Sequence, residues 1–257
     1  MRRILRKGLE KRVMRYLSRK QQEVATKSDI QRIWKYARNT KTLKVVFDCL
    51  VEMSGKRARC MFCEDSRGTT IEHFWPKSVY REKCFLWDNM LLLCQGCQTH
   101  KGDRFDLNAA GEPLLVNPTE EDPWDFLFFE AGTGLLTSRF QTDIDAPNLK
   151  GAHTTDSEVL PLNIESVTEG RLRTKRNLQR AVNIFLRDIS NGISAPEANS
   201  NLLQAIRDND DYGLVIWYFV RDGCSESPFD LLKRDHPNLW SEIQDSHTIR
   251  TSHSTRR

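Results

Sequence analysis

A chain of 257 residues, 39% hydrophobic and 29% charged, is long enough to bury a core without disulfide staples. Its longest purely apolar run, Leu214–Val220, has seven residues, where a helical membrane span needs roughly 20. The basic start lacks the apolar stretch of a signal peptide, so the expected location is cytoplasmic. The net charge of +4 conceals a polarised chain: residues 1–60 hold 18 Lys/Arg against 5 Asp/Glu, residues 61–104 hold 6 against 6, and residues 105–257 hold 15 against 24. That asymmetry reads either as a basic surface for a polyanion or as solvated helix faces.

Residues 1–54 read as a basic helical region. The first twenty carry nine Lys/Arg and one acid, with Ile4, Leu5, Leu9, Val13 and Leu17 at roughly helical spacing. Residues 28–53 look helical, first through Ile30, Ile33, Trp34 and Tyr36. A second stripe of Leu43, Phe47, Leu50 and Val51 makes Cys49 a core thiol.

Residues 55–110 carry the chemistry. Seven cysteines without a secretion signal argue against a disulfide framework. Four form two pairs, Cys60-Met-Phe-Cys63 and Cys94-Gln-Gly-Cys97. A Cys-x-x-Cys turn aims two thiolates at one point, and two such knuckles complete a tetrahedral structural zinc site. Thirty residues separate the pairs, so the site clamps an insert. No chemistry is assigned to Cys84 or Cys224. Within the insert, β-branched Thr69-Thr70-Ile71 reads as a strand leading into Glu72-His73, ended by Pro76. Met90–Leu93 reads as a buried strand, and Gln98 onward as a short helix ending near Gly102. Trp75 and Trp87 are either core or platforms for bases.

Residues 111–165 read as loops with short strands, with a hairpin where Phe126–Phe129 precedes Gly132 and Gly134. Residues 166–245 read as a C-terminal helical region. Leu178, Val182, Phe185, Leu186 and Ile189 form a stripe, with Arg171, Arg173, Lys175, Arg176 and Arg180 on the other side. Leu214–Val220 reads as core or as a partner surface. Residues 246–257, rich in Ser, Thr, Arg and His, read as a disordered tail.

Glu72-His73, then Asn89, then a polar position just after Cys97 resemble the HNH nuclease motif of the ββα-metal type, in its zinc-stabilised branch, from about Cys60 to Arg104. The stretches IEHFWPKS and DNMLLLCQGCQTHKGDRF are similar to one subgroup, PtuB of Septu and retron-associated anti-phage systems. So are the opening Met1-Arg-Arg-Ile and Leu162-Asn163 ahead of a basic amphipathic helix. The resemblance implies an α+β fold: a ββα-metal core clamped by a four-cysteine zinc site and embedded in mainly α-helical N- and C-terminal regions. It also implies a PtuA-like ATPase partner and, in retron versions, a reverse transcriptase with its RNA–DNA.

The chemistry of that reading is phosphodiester hydrolysis, on DNA or RNA. His73 is the expected general base, because a neutral imidazole takes a proton from water near pH 7. Glu72 is an expected ligand of catalytic Mg²⁺ or Mn²⁺, hard cations that prefer oxygen. The resemblance implies that the Asn89 amide pins the backbone beside His73. Lys101, Lys77 and Arg104 are expected to meet phosphates. Many family members carry His or Asn where this chain has Gln98, and His100 follows two residues later. On a helix the two lie about 200° apart, so they are not equivalent: motif register favours Gln98 as the ligand, ligand chemistry favours His100, and catalysis fails if neither ligates. Adjacent strand residues also point to opposite faces, so Glu72 and His73 converge only if the strand ends there. Two other functions fit the same residues: a zinc-stabilised nucleic-acid-binding module without catalysis, and a stand-alone restriction nuclease reading a modified base.

Overall fold

The computed structural model describes residues 1–27 and 29–248. After an extended lead, the chain forms α1 (Lys11–Thr26), α2 (Ile30–Ala37) and α3 (Lys41–Met53). The first ten residues are not helical, which corrects the expected helix over residues 1–20. Tertiary bonds override their periodicity. The Ile4 amide donates to the Pro118 carbonyl (2.7 Å). The Arg6 guanidinium donates to the carbonyls of Trp87, Asp88 and Met90 and to Thr119 Oγ1. A guanidinium with four protein acceptors holds the fold and is not free for phosphate. Helix α2 starts at Asp29, whose carboxylate accepts from the Arg32 amide at 2.9 Å and satisfies an otherwise orphaned donor.

The insert folds as a hairpin followed by a helix. Strands β1 (Thr70–His73) and β2 (Met90–Leu93) pair antiparallel, with Thr70 opposite Leu93 and His73 opposite Met90. All four β2 residues are buried, as an unbroken apolar run requires. Helix α4 (Gln95–Lys101) opens three residues earlier than expected. The reason is the N-cap: Cys94 Sγ accepts from the Cys97 amide at 3.5 Å, so the second knuckle is itself the first turn.

Downstream, β3 (Leu127–Phe129) and β4 (Leu136–Ser138) form the expected hairpin. Gly134 has φ +80°, and a Cβ there would lie 2.5 Å from the Thr168 carbonyl oxygen. A minimal pair, β5 (Phe140–Gln141) and β6 (Ala146–Pro147), precedes α5 (Leu149–Thr155), whose cap is Asn148. The C-terminal region comprises α6 (Glu165–Ser190), α7 (Ala195–Asp208), α8 (Leu214–Val220), α9 (Phe229–Asp235) and α10 (Pro237–Thr248).

The five-cation face read on α6 is corrected. Arg171 is fully buried and donates to the carbonyls of Gly134 and Leu162, while Lys175 donates to Ala131. Arg173, Arg176 and Arg180 stay exposed. Leu214–Val220 is core: Trp217 packs on Trp124, Phe128 and Phe129, and Tyr218 stacks on Phe229. Helix α10 runs to Thr248, past the expected start of the tail at residue 246, and residues 249–257 of that tail lie outside the described residues. Among the described residues no helix is long and apolar enough to cross a membrane.

Candidate functional site

The sulfurs of Cys60, Cys63, Cys94 and Cys97 are buried and lie within 4.8 Å of one another. Cys63 and Cys94 approach to 3.8 Å. Tetrahedral zinc with bonds of about 2.3 Å places its sulfurs about 3.8 Å apart, so this donor set fits the ion. The first knuckle hangs from the hairpin, because the Met61 amide donates to the Leu92 carbonyl. The second is the N-terminus of α4, where unpaired backbone donors favour thiolate. Contacts with Cys60 and the other sulfurs push the Cys97 thiol up and the Cys94 thiol down. A buried group of four cysteines this close could hold a zinc ion. The remaining cysteines stand apart: Cys49 and Cys224 are half-buried against the core, and Cys84 is buried beside His73.

Strand β1 ends at His73, which is still paired with Met90, so Glu72 and His73 both lie within the ladder. The Glu72 carboxylate curls back on its own backbone, where Oε1 accepts from the His73 amide at 2.9 Å. His73 Nδ1 lies 3.9 Å from the same oxygen, too far for a hydrogen bond. The other carboxylate oxygen, Oε2, accepts from Gln98 Nε2 at 2.8 Å. One turn of α4 therefore carries Cys97 into the sulfur cluster and Gln98 onto Glu72. His100 is exposed and does not line the adjoining groove.

The imidazole is held from its far side. His73 Nε2 meets the Cys84 carbonyl at 2.9 Å, so Nε2 carries the proton and Nδ1 presents a lone pair. Nδ1 has no hydrogen-bond partner among the described residues. Burial lowers the His73 pKa against the opposing pull of Glu72, which keeps the ring neutral at pH 7. Burial acts the other way on Glu72, but the His73 ring and amide outweigh it and hold the carboxyl down at about 2. The ring is only 1% exposed, and Trp34 of α2 closes over it edge-on, centroids 4.4 Å apart.

Asn89 acts at one remove from His73. Its Oδ1 accepts from the Trp75 amide (2.7 Å), and its Nδ2 donates to the carbonyls of Trp75 (3.1 Å) and Lys83 (2.9 Å). It ties the two ends of the loop between the strands together and so sets the Cys84 carbonyl against the imidazole. Trp75 packs among Phe74, Tyr80 and Phe105, and Trp87 donates Nε1–H to the Lys7 carbonyl, so both are built into the fold.

The three cations expected at phosphates occupy different places. Lys77 lines the groove beside Glu72. Arg104 is exposed, with its guanidinium on the His100 carbonyl. Lys101 is fully buried over Phe105, and burial lowers its pKa to about 8 although Glu72 pulls it up. In this state Lys101 presents no ammonium to solvent. Sequence reasoning missed Trp34 and the Cys84 carbonyl. Trp34 carried only a helical-stripe signal, and a backbone carbonyl carries none.

The groove itself, of about 860 Å³, runs between β1 on one side and α2 with the start of α3 on the other, and reaches Glu72, Lys77 and Gln98.

Comparison with known proteins gives two relatives, both named Septu protein PtuB. The protein from Bacillus thuringiensis is 31% identical over 119 residues, which is 44% of this chain and 39% of that protein. The protein from Bacillus mycoides (strain KBAB4) is 26% identical over 177 residues, covering 54% of this chain and 57% of that protein. No family model matches the sequence, and no solved structure matches it. The chain thus spans between two-fifths and three-fifths of the length of these relatives, and over about half of its own length it is similar to PtuB of the Septu systems.

Proposed function

We propose that this chain is a PtuB-like HNH endonuclease of an anti-phage defence system, hydrolysing phosphodiester bonds of nucleic acid together with a PtuA-like ATPase. The observation that carries the reading is the state of His73. Its Nε2–H is spent on the Cys84 carbonyl, leaving Nδ1 as an unpartnered base beside an ionised Glu72. A neutral imidazole fixed in that tautomer can take the proton of an attacking water. Glu72 and the free amide oxygen of Gln98 are the oxygen donors that would hold a divalent cation such as Mg²⁺ or Mn²⁺, with water completing the shell. When bound, such an ion supplies positive charge to the phosphate oxygens as negative charge develops on them. Gln98 is preferred over His100 because Gln98 already touches Glu72. Asn89 positions the loop, and the four cysteines, loaded with zinc, hold the hairpin to α4.

The seal of Trp34 over His73 favours a second reading, a zinc-stabilised module that binds nucleic acid without cutting it. Cleavage assays separate the two. The full chain, alone and with its ATPase, is incubated with plasmid, single-stranded DNA and RNA in Mg²⁺ or Mn²⁺. The expected result is cutting that falls by about 10²-fold or more in His73→Ala, the usual worth of a general base. Equal damage by wild type and His73→Ala, or none by either, would sink the enzyme reading.

A further inference from the structure

Helix α2 buries Ile30, Ile33, Trp34 and Ala37, a spacing that places them on one face. The remaining positions carry Gln31, Arg32, Lys35 and Tyr36, followed by Arg38, all exposed and all lining the groove that reaches Glu72. Lys77 faces them from the other wall. Among the described residues no carboxylate pairs with Arg32, Lys35, Arg38 or Lys77. The acids on the groove are Asp29, whose carboxylate caps the helix, and Glu72 itself. Tyr36 is 65% exposed, with the Arg32 guanidinium 5.8 Å over its ring. Tyr36 thus stands among cations on the groove, a surface whose chemistry suits a planar, anionic ligand.

We propose that α2 is the substrate-binding wall of the groove and that its ligand is a single-stranded polynucleotide. Arg32, Lys35, Arg38 and Lys77 take the phosphates, Tyr36 takes the face of an unpaired base, and the strand is led toward Glu72. Exposed aromatics among cations are how proteins hold strands without regard to sequence. A duplex keeps its base faces stacked inside and offers none to Tyr36. The size of the groove agrees, since about 860 Å³ falls within the roughly 300–1,000 Å³ of pockets that take small ligands. That volume is enough for a few nucleotides. This assignment rests on the nuclease reading for the purpose of the groove, but its chemistry can be tested by binding alone.

The test uses the full chain carrying His73→Ala, with Ca²⁺ in place of Mg²⁺, and fluorescence anisotropy of labelled strands of about 12 nucleotides, a length within known single-strand footprints. Single-stranded DNA, single-stranded RNA and the matching DNA duplex are compared. The charge-reversed set Arg32→Glu/Lys35→Glu/Arg38→Glu is expected to weaken both single strands by about 30-fold or more. It should also reduce the salt slope by about 2, as loss of three single-strand phosphate contacts requires. An equal reversal on α6, Arg173→Glu/Arg176→Glu/Arg180→Glu, is expected to cost less than about 3-fold, which separates a local site from net charge. Tyr36→Ala removes no charge and is expected to weaken single strands by about 10-fold while leaving duplex binding unchanged, in the range of one lost stack. Equal losses from the two charge reversals, duplex bound as tightly as single strand, or an indifferent Tyr36→Ala would each overturn the proposal. Binding that behaves as expected while the wild type cuts nothing in Mg²⁺ would retain this wall and remove the nuclease reading. A wild type that cuts single strands no faster than the α2 charge-reversed chain would do the opposite.

Discussion

The hairpin region, residues 55–110, and the C-terminal helices, residues 165–248, are held together by different forces. The C-terminal region stands on aromatic packing: Tyr218 lies stacked on Phe229 at 4.4 Å, Phe219 meets Trp240 at 5.1 Å, and Trp124 meets Trp217 at 5.0 Å. Its buried Arg171 ends on protein carbonyls. The hairpin region has two strands of four residues each, too little to stand alone in water. What holds it is the sulfur cluster joining Met61, β2 and α4, helped by the Phe74, Trp75 and Phe105 contacts. The contrast teaches that buried polar atoms without hydrogen-bond partners occur in both regions, Trp217 Nε1 and Tyr218 Oη among the aromatics and His73 Nδ1 in the hairpin, so what differs is their surroundings. His73 Nδ1 lies in the region that carries the four-cysteine group able to hold a zinc ion.

The largest effect is expected from breaking the clamp. Cys94→Ser should remove about one zinc per chain, because structural zinc contributes about 10–16 kcal/mol to small zinc-bound units. Metal analysis with hydrogen exchange should then show β2 and α4 exchanging freely while α8 and α10 stay protected. Loss of protection everywhere would mean that the two regions are one cooperative unit.

The reciprocal experiment is smaller. Trp217→Ala should cost about 3–5 kcal/mol of global stability, the usual range for a buried tryptophan, with zinc content unchanged. If zinc leaves with the tryptophan, the comparison fails from the other side.

The smallest effect sharpens the account of His73. Burial lowers its pKa below the ordinary 6.5, to which it returns on unfolding. Between those two values the unfolded chain binds the extra proton. Stability therefore falls as pH drops below about 6.5, and this group adds no pH dependence above it. Denaturant midpoints between pH 7.5 and 5.5 should fall more steeply for wild type than for His73→Gln, by at most about 1.4 kcal/mol per pH unit for one proton. Parallel curves would mean that the ring is protonated, or reached by water, in the folded state.

Much of the fold could be read from local pattern. The Met90–Leu93 run, the Phe126–Phe129 hairpin and the α6 stripe follow from spacing, because a strand or a helix face is a short-range geometric repeat. The errors fell where long-range bonds outweigh periodicity. Residues 1–10 have helical spacing but are drawn out along Pro118 and Trp87. Arg171 looks like a surface cation until the Gly134 and Leu162 carbonyls are brought over it. Lys101 reads as a helix-end cation, yet the turn after it folds the chain back and buries it over Phe105.

By its sequence alone this chain determined that four thiols come in two knuckles flanking a Glu-His strand end, since two-residue spacings and β-branched runs dictate their own local geometry. Only the tertiary structure decided that Gln98 and not His100 reaches Glu72, that the Cys84 carbonyl fixes the tautomer of His73, and that Trp34 closes over the ring. Those contacts join residues up to 39 positions apart, and nothing in the spacing of either partner records the meeting.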